Sequence, residues 1–181
     1  MSLIAGNLGF VQRLLDSHQL VWGICAGAAA HLYGNRRPIQ DVDVIVMTGK
    51  LNEVVQLLQG AQKAVQFDGN RILWRGIKVF DDLSVRRAGI SYPYYLDETM
   101  HNHMRRMSLL GAQVMVLAPE DVLLHKLLLG RGPEENKHDQ ADAEGIVRRQ
   151  KLDIDYLRER AQLMRATHIL QPKLAALNIE L

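Results

Sequence analysis

The run Asp41-Val42-Asp43-Val44-Ile45-Val46 constrains this chain more than any other stretch. Side chains alternate across a strand, so Asp41 and Asp43 share one face while Val42, Val44 and Val46 line the other. The valine face is a core face. Two carboxylates projecting together repel, and charge inside an apolar strand costs free energy unless something pairs with it. A solvated edge strand, its acids discouraging edge-to-edge pairing, is one solution. A bound cation is the other. One or two carboxylates, with water and phosphates completing the shell, suit Mg²⁺.

The preceding residues favour a phosphate nearby. Leu20 to Cys25 reads as a short buried strand, Gly27 allows a tight turn, and Ala28 to Tyr33 is helix-compatible. Gly34-Asn35 closes that helix, and Pro38 bars its continuation into the strand expected over Ile39 to Met47. A helix start with free amides, returning through a short helix to two carboxylates, can hold a triphosphate beside a metal.

The rest of the chain predicts a mixed α/β domain. Helical spacing marks Leu3 to Asp16 and Leu51 to Leu58. Asp68-Gly69-Asn70 signals a hairpin between Ala64–Phe67 and Arg71–Trp74, and Ile77 to Val85 is a further strand. Residues 86–107 read as a loop with a short helix. Gln113 to Leu117 is a strand, Pro119 opens a helix running to Leu129, and residues 130–137 form a loop. Two more helices follow, over Asp139–Arg149 and Ile154–Arg165. Without strict βαβ alternation the class is α+β: a twisted mixed sheet of about 4–6 strands with flanking helices. The division expected is an α/β core over 1–117, with a helical segment over 118–181 packed on the same domain.

Bulk composition excludes little. The formal net charge of +2 gives no general affinity for polyanions, although arginines pair at 36–37, 86–87, 105–106 and 148–149. The single cysteine, Cys25, excludes an intrachain disulfide and reads as a small buried residue. Ser17 to Asn35 carries no formal charge but contains histidines and glycines, so it reads as strand and helix rather than a membrane span. No secretory pattern opens the chain, and the expected location is cytoplasmic.

The order Gly27, Ala30, Gly34, Arg37, Asp41, Asp43 resembles the nucleotidyltransferase superfamily related to DNA polymerase β. The similarity is greatest to its small prokaryotic branch, which includes toxin–antitoxin and abortive-infection nucleotidyltransferases. Leu117 to Arg131, followed by Lys137, Asp139 and Asp142, resembles a second segment of that branch. The resemblance implies transfer of an NMP from an NTP to a hydroxyl on a protein, a tRNA or a small molecule. It implies two Mg²⁺ ions, held by Asp41, Asp43 and a third carboxylate on a neighbouring strand. It also implies phosphate binding by Gly27, the amides from Ala28 onward, Arg37 and Lys126. The third carboxylate is Asp81 or Asp82. Strand parity favours Asp82, because Ile77, Val79, Leu83 and Val85 then share the core face, whereas a bulge would favour Asp81.

Two positions depart from the family pattern. Ala28 stands where many members carry serine or glycine, and Ile39 where threonine is frequent. They motivate a second reading: a catalytically inactive module of the same fold that binds nucleotide or a partner protein, as in a toxin–antitoxin pair.

Several residues carry two readings each. On a helix Lys126 faces Val122, Leu123, Leu129 and Gly130, so its ammonium either pairs with a nearby acid or, as the resemblance implies, neutralises triphosphate. Arg37 either ties down its loop through a carboxylate or contacts phosphate. His101 and His103 lack the acids of a metal site and read as solvated, while His31 and Tyr33 read as packing residues. A third function class, an RNA-binding module, would use the arginine pairs with Tyr92, Tyr94 and Tyr95.

Overall fold

The computed structural model of this protein describes residues 3–34, 36–62 and 64–181. Asn35, half of the expected helix stop, lies outside them. The described residues form eight α-helices, a seven-stranded mixed sheet and a two-stranded sheet. They divide into two compact units: residues 1–28, 38–83 and 95–117 in the first, and 29–37, 84–94 and 118–181 in the second.

The first unit is built on the large sheet. Its elements are α1 (Leu3–Ser17), β1 (Trp22–Cys25), the start of α2 (Ala26–Tyr33), β2 (Val42–Val46), α3 (Leu51–Ala61), β3 (Gln66–Phe67), β4 (Ile72–Trp74) and β5 (Ile77–Phe80). Strand order runs β3-β4-β5-β2-β1, with β2 parallel to β5 and antiparallel to β1. Val42, Val44, Ile45 and Val46 are fully buried, so β2 lies in the sheet's interior and not at its edge. Helix α1 is amphipathic: Leu8, Val11 and Leu15 are buried, Phe10 packs on Trp74, and Asn7 donates to the Arg75 carbonyl at 2.8 Å.

Residues 86–107 contain more structure than the sequence predicts. β6 (Val85–Arg87) and β7 (Ile90–Tyr92) pair as a hairpin in the second unit. In the first unit, α4 (Glu98–His103) leads into β8 (Arg105–Leu109), which pairs with β9 (Ala112–Val116). β9 in turn runs parallel to β1. The turns responsible are Ala88-Gly89 and Leu110-Gly111, with both residues of each at positive φ. That geometry favours Asn or Asp before glycine, and here the first residue is Ala or Leu, so half the signal is missing. β8 is also an edge strand with Arg105, Arg106 and Ser108 exposed, which leaves no strong apolar alternation to read.

The second unit is organised around α5 (Pro119–Leu129), buried at every position from Pro119 to Leu128. Gly130 ends it in the left-handed conformation, at φ 59°. Around it lie α6 (Asp139–Arg149), α7 (Ile154–Leu163) and α8 (Thr167–Ala175). Because α5 is buried all round, its polar residues all need partners. Glu120 accepts from the Asp153 amide at 2.7 Å, and Asp121 accepts from the Tyr156 hydroxyl at 2.7 Å and lies 3.0 Å from Arg160. His125 stacks on Tyr94 with ring centroids 4.2 Å apart. Gly34 meets the α6 backbone here: a Cβ on it would lie 2.4 Å from the Gly145 carbonyl, so only glycine fits. Among the described residues no helix is long and apolar enough to cross a membrane.

Candidate functional site

The carboxylate pair stands where β1 hands over to α2. Cys25, the last residue of β1, is paired with Asp43, so the chain enters α2 at the level of that carboxylate. Ala26 makes the turn at φ 50°. A Cβ placed on Gly27 would meet no heavy atom within 4 Å, so the first turn of α2 has open space at that position. Ala28 is buried, which restricts its contribution to the backbone amide. Cys25 is fully buried, with its thiol 3.5 Å from the Asp43 carbonyl, and is a packing residue.

Asp41, just ahead of β2, and Asp43 within it are both part-exposed. Directly beside Asp43 on the parallel strand β5 is Lys78. Its neighbours Ile77 and Val79 are buried, so alternation sends the lysine to the carboxylate face. There its ammonium is hydrogen-bonded to the Asp41 carboxylate. Partial burial disfavours the charged lysine, but the bond to Asp41 and the fields of Asp43 and Asp41 outweigh it and raise the Lys78 pKa above its ordinary value. The sequence signal for Lys78 was the Ile-Lys-Val alternation, legible as a strand but silent about which partner the lysine meets.

The strand expected to carry the third carboxylate is shorter than the sequence predicts. The parity assigned to β5 holds through Phe80, but the strand stops there instead of running to Val85. Asp81 accepts from the Gly49 amide at 2.9 Å, and Asp82 follows as an exposed residue. Among the described residues no three His, Cys, Asp or Glu side chains are grouped as a metal site, so Asp41, Asp43 and Asp82 are not gathered into one cluster. Asp41 and Asp43 alone still offer a donor set that suits Mg²⁺ when phosphates and water complete it.

Arg37 and Lys126 are joined to each other through the second unit. Arg37 Nη2 donates to both oxygens of Asp142 at 2.7 Å. Lys126 Nζ lies 2.8 Å from Asp139 Oδ1 and 2.9 Å from Asp142 Oδ2. Arg131 completes the network with Nε 2.8 Å from Asp139 Oδ2. The side chains of Asp139 and Asp142 are 0% exposed and that of Lys126 is 7% exposed, so these charges are neutralised inside the protein. Burial opposes the Asp139 carboxylate, but hydrogen bonds and charge from Arg131 and Lys126 hold its pKa below the usual range. The sequence fixes Asp139 and Asp142 three positions apart on one helix, but not that they clasp Lys126.

The stacking surface expected of an RNA-binding module is absent in two of its three aromatics. Tyr92 and Tyr94 are buried at 2% and 1% exposure, while Tyr95 is exposed. His101 and His103 are exposed on α4, and His103 Nδ1 lies 2.8 Å from its own helix's Thr99 carbonyl. Tyr33 is a core residue, and His31 Nδ1 lies 2.6 Å from the Arg37 carbonyl.

By sequence the chain matches no protein-family profile and no curated protein. Its architecture does match solved structures. ANT(2")-Ia, crystallised with adenylyl-2"-tobramycin, superposes with a TM-score of 0.62 over 92% of this chain and 99% of its own, at 10% identity. The fold is that of the nucleotidyltransferases. The solution structure of ANT(2'')-Ia gives a TM-score of 0.60 over 95% of this chain and 96% of that one, at 10% identity. An antigenic nucleotidyltransferase-like protein from Paracoccidioides brasiliensis matches 98% of this chain and 93% of its own, with a TM-score of 0.52 and 16% identity. The nucleotidyltransferase fold therefore extends across nearly the whole chain, including the C-terminal helices.

Proposed function

We propose that this chain transfers an NMP from an NTP to a hydroxyl acceptor. One observation carries the reading: Asp41, Asp43 and the open first turn of α2 lie at one end of the β1–β2 pair, in a nucleotidyltransferase fold. The acceptor oxygen attacks the α-phosphorus, the bond to the bridging oxygen breaks, and pyrophosphate leaves. The hydroxyl proton passes to a base or to water. Mg²⁺ held by Asp41 and Asp43 would supply Lewis-acid activation and offset charge on the leaving group. The amides of Gly27 and Ala28, in the first turn of α2, orient the phosphates.

The ANT(2")-Ia structure holds adenylyl-2"-tobramycin, so small-molecule hydroxyl acceptors, tobramycin among them, head the acceptor panel, ahead of tRNA and protein. The test is transfer from α-labelled NTPs across that panel, with Asp41→Asn and Asp43→Asn as controls. Each substitution is expected to lower the rate at least about 100-fold, since even outer-shell changes at metal sites cost 10–100-fold. Turnover that survives both substitutions would refute the assignment.

A second reading has its own supporting observation. The Lys78 ammonium already bonded to Asp41 fits a protein that binds nucleotide without turning it over. Calorimetric NTP binding with no transfer to any acceptor would favour it.

A further inference from the structure

The carboxylate pair of β2 carries a cation of its own. Lys78 is the register partner of Asp43, and its ammonium is hydrogen-bonded to Asp41, so a single lysine stands beside both acids. The placement is enforced by the sheet. Ile77 and Val79 are each 1% exposed, so turning Lys78 to the opposite face would shift both out of the core. The lysine side chain is only 34% exposed and that of Asp41 43%, so the pair is partly shielded from water. Two nearby carboxylates repel, and one positive charge beside them offsets part of that cost.

We propose that Lys78 is the resident counter-ion of this site, and that a divalent metal reaches Asp41 and Asp43 only by displacing its ammonium. The inference rests on reading those two acids as metal ligands. Metal and ammonium compete for the same Asp41 oxygen, and the displaced ammonium remains nearby as a repelling charge. Metal alone therefore binds this site weakly, and removing the lysine charge tightens it.

The test is Mn²⁺ binding to the full chain, followed by electron paramagnetic resonance of the free ion with no nucleotide present. Lys78→Met and Lys78→Gln are compared with wild type, with circular dichroism confirming that each variant folds. Both should bind Mn²⁺ at least about 10-fold more tightly, the combined effect of a lost ion-pair competitor and a lost repulsion. Lys78→Arg, which keeps the charge, should bind as weakly as wild type. Asp41→Asn placed in the Lys78→Met background should abolish the gain. If Lys78→Met binds no more tightly than wild type while Asp41→Asn removes what binding there is, the counter-ion proposal fails and the ligand assignment stands. If Asp41→Asn changes nothing, or if no variant binds Mn²⁺, the ligand assignment fails and the proposal with it.

Discussion

Replacing Lys126 with methionine separates a structural lysine from a phosphate-binding one. Its ammonium touches Asp139 and Asp142 at 2.8 and 2.9 Å, and both carboxylates are fully buried. Removing one partner of a buried ion pair costs about 3–5 kcal/mol, because the remaining charge is left uncompensated. Here compensation is partial. Asp139 keeps Arg131 and Asp142 keeps Arg37, and each guanidinium is about a third exposed. Methionine also keeps most of the apolar stem, so little cavity opens. The expected loss is therefore at the lower end, about 3 kcal/mol. With an m-value of about 2 kcal/mol/M in urea, the unfolding midpoint falls by about 1.5 M. Urea unfolding followed by circular dichroism reads this directly, and NTP affinity is measured on the same preparation. A midpoint within about 0.3 M of wild type, together with lost NTP binding, would refute the structural role and restore the phosphate role.

Two further outcomes follow from the second unit. Gly34→Ala forces a Cβ to 2.4 Å from the Gly145 carbonyl, a backbone atom that cannot turn aside, and should destabilise by about 2 kcal/mol or more; an unchanged thermal midpoint would count against that contact. Asp139, with its folded pKa depressed, contributes its full stability above the unfolded-state value of about 3.9 and loses it as pH falls through the lower folded value. Urea midpoints measured downward from pH 5 should fall, and Asp139→Asn should flatten that slope.

Local chemistry made much of the framework legible from residues alone. Alternation in Val42–Val46 specifies a buried strand with acids on one side, Pro119 with Gly130 brackets α5, and Asp68-Gly69-Asn70 marks the β3–β4 hairpin. Each signal acts within a few residues, through sterics or a backbone hydrogen bond. β8 was not legible, because its turn lacks Asn or Asp and its face is polar. The site was legible on one side only. Asp41, Asp43 and Gly27 lie within one short stretch, but Lys78 enters through a strand pairing 35 residues from Asp43, as that register shows.

What the sequence determined by itself was the carboxylate face of β2, since strand period is a property of the local chain, whereas the turn into α2 falls on Ala26 and not on the glycine that local freedom favours. Only the tertiary structure decided which cation meets which acid. It set Lys78 against Asp41 and enclosed Lys126 between Asp139 and Asp142. A long flexible side chain such as lysine has no preferred direction of its own. Its partner is chosen by whichever carboxylates the packed elements bring within reach, and by how much burial makes an unpaired charge cost.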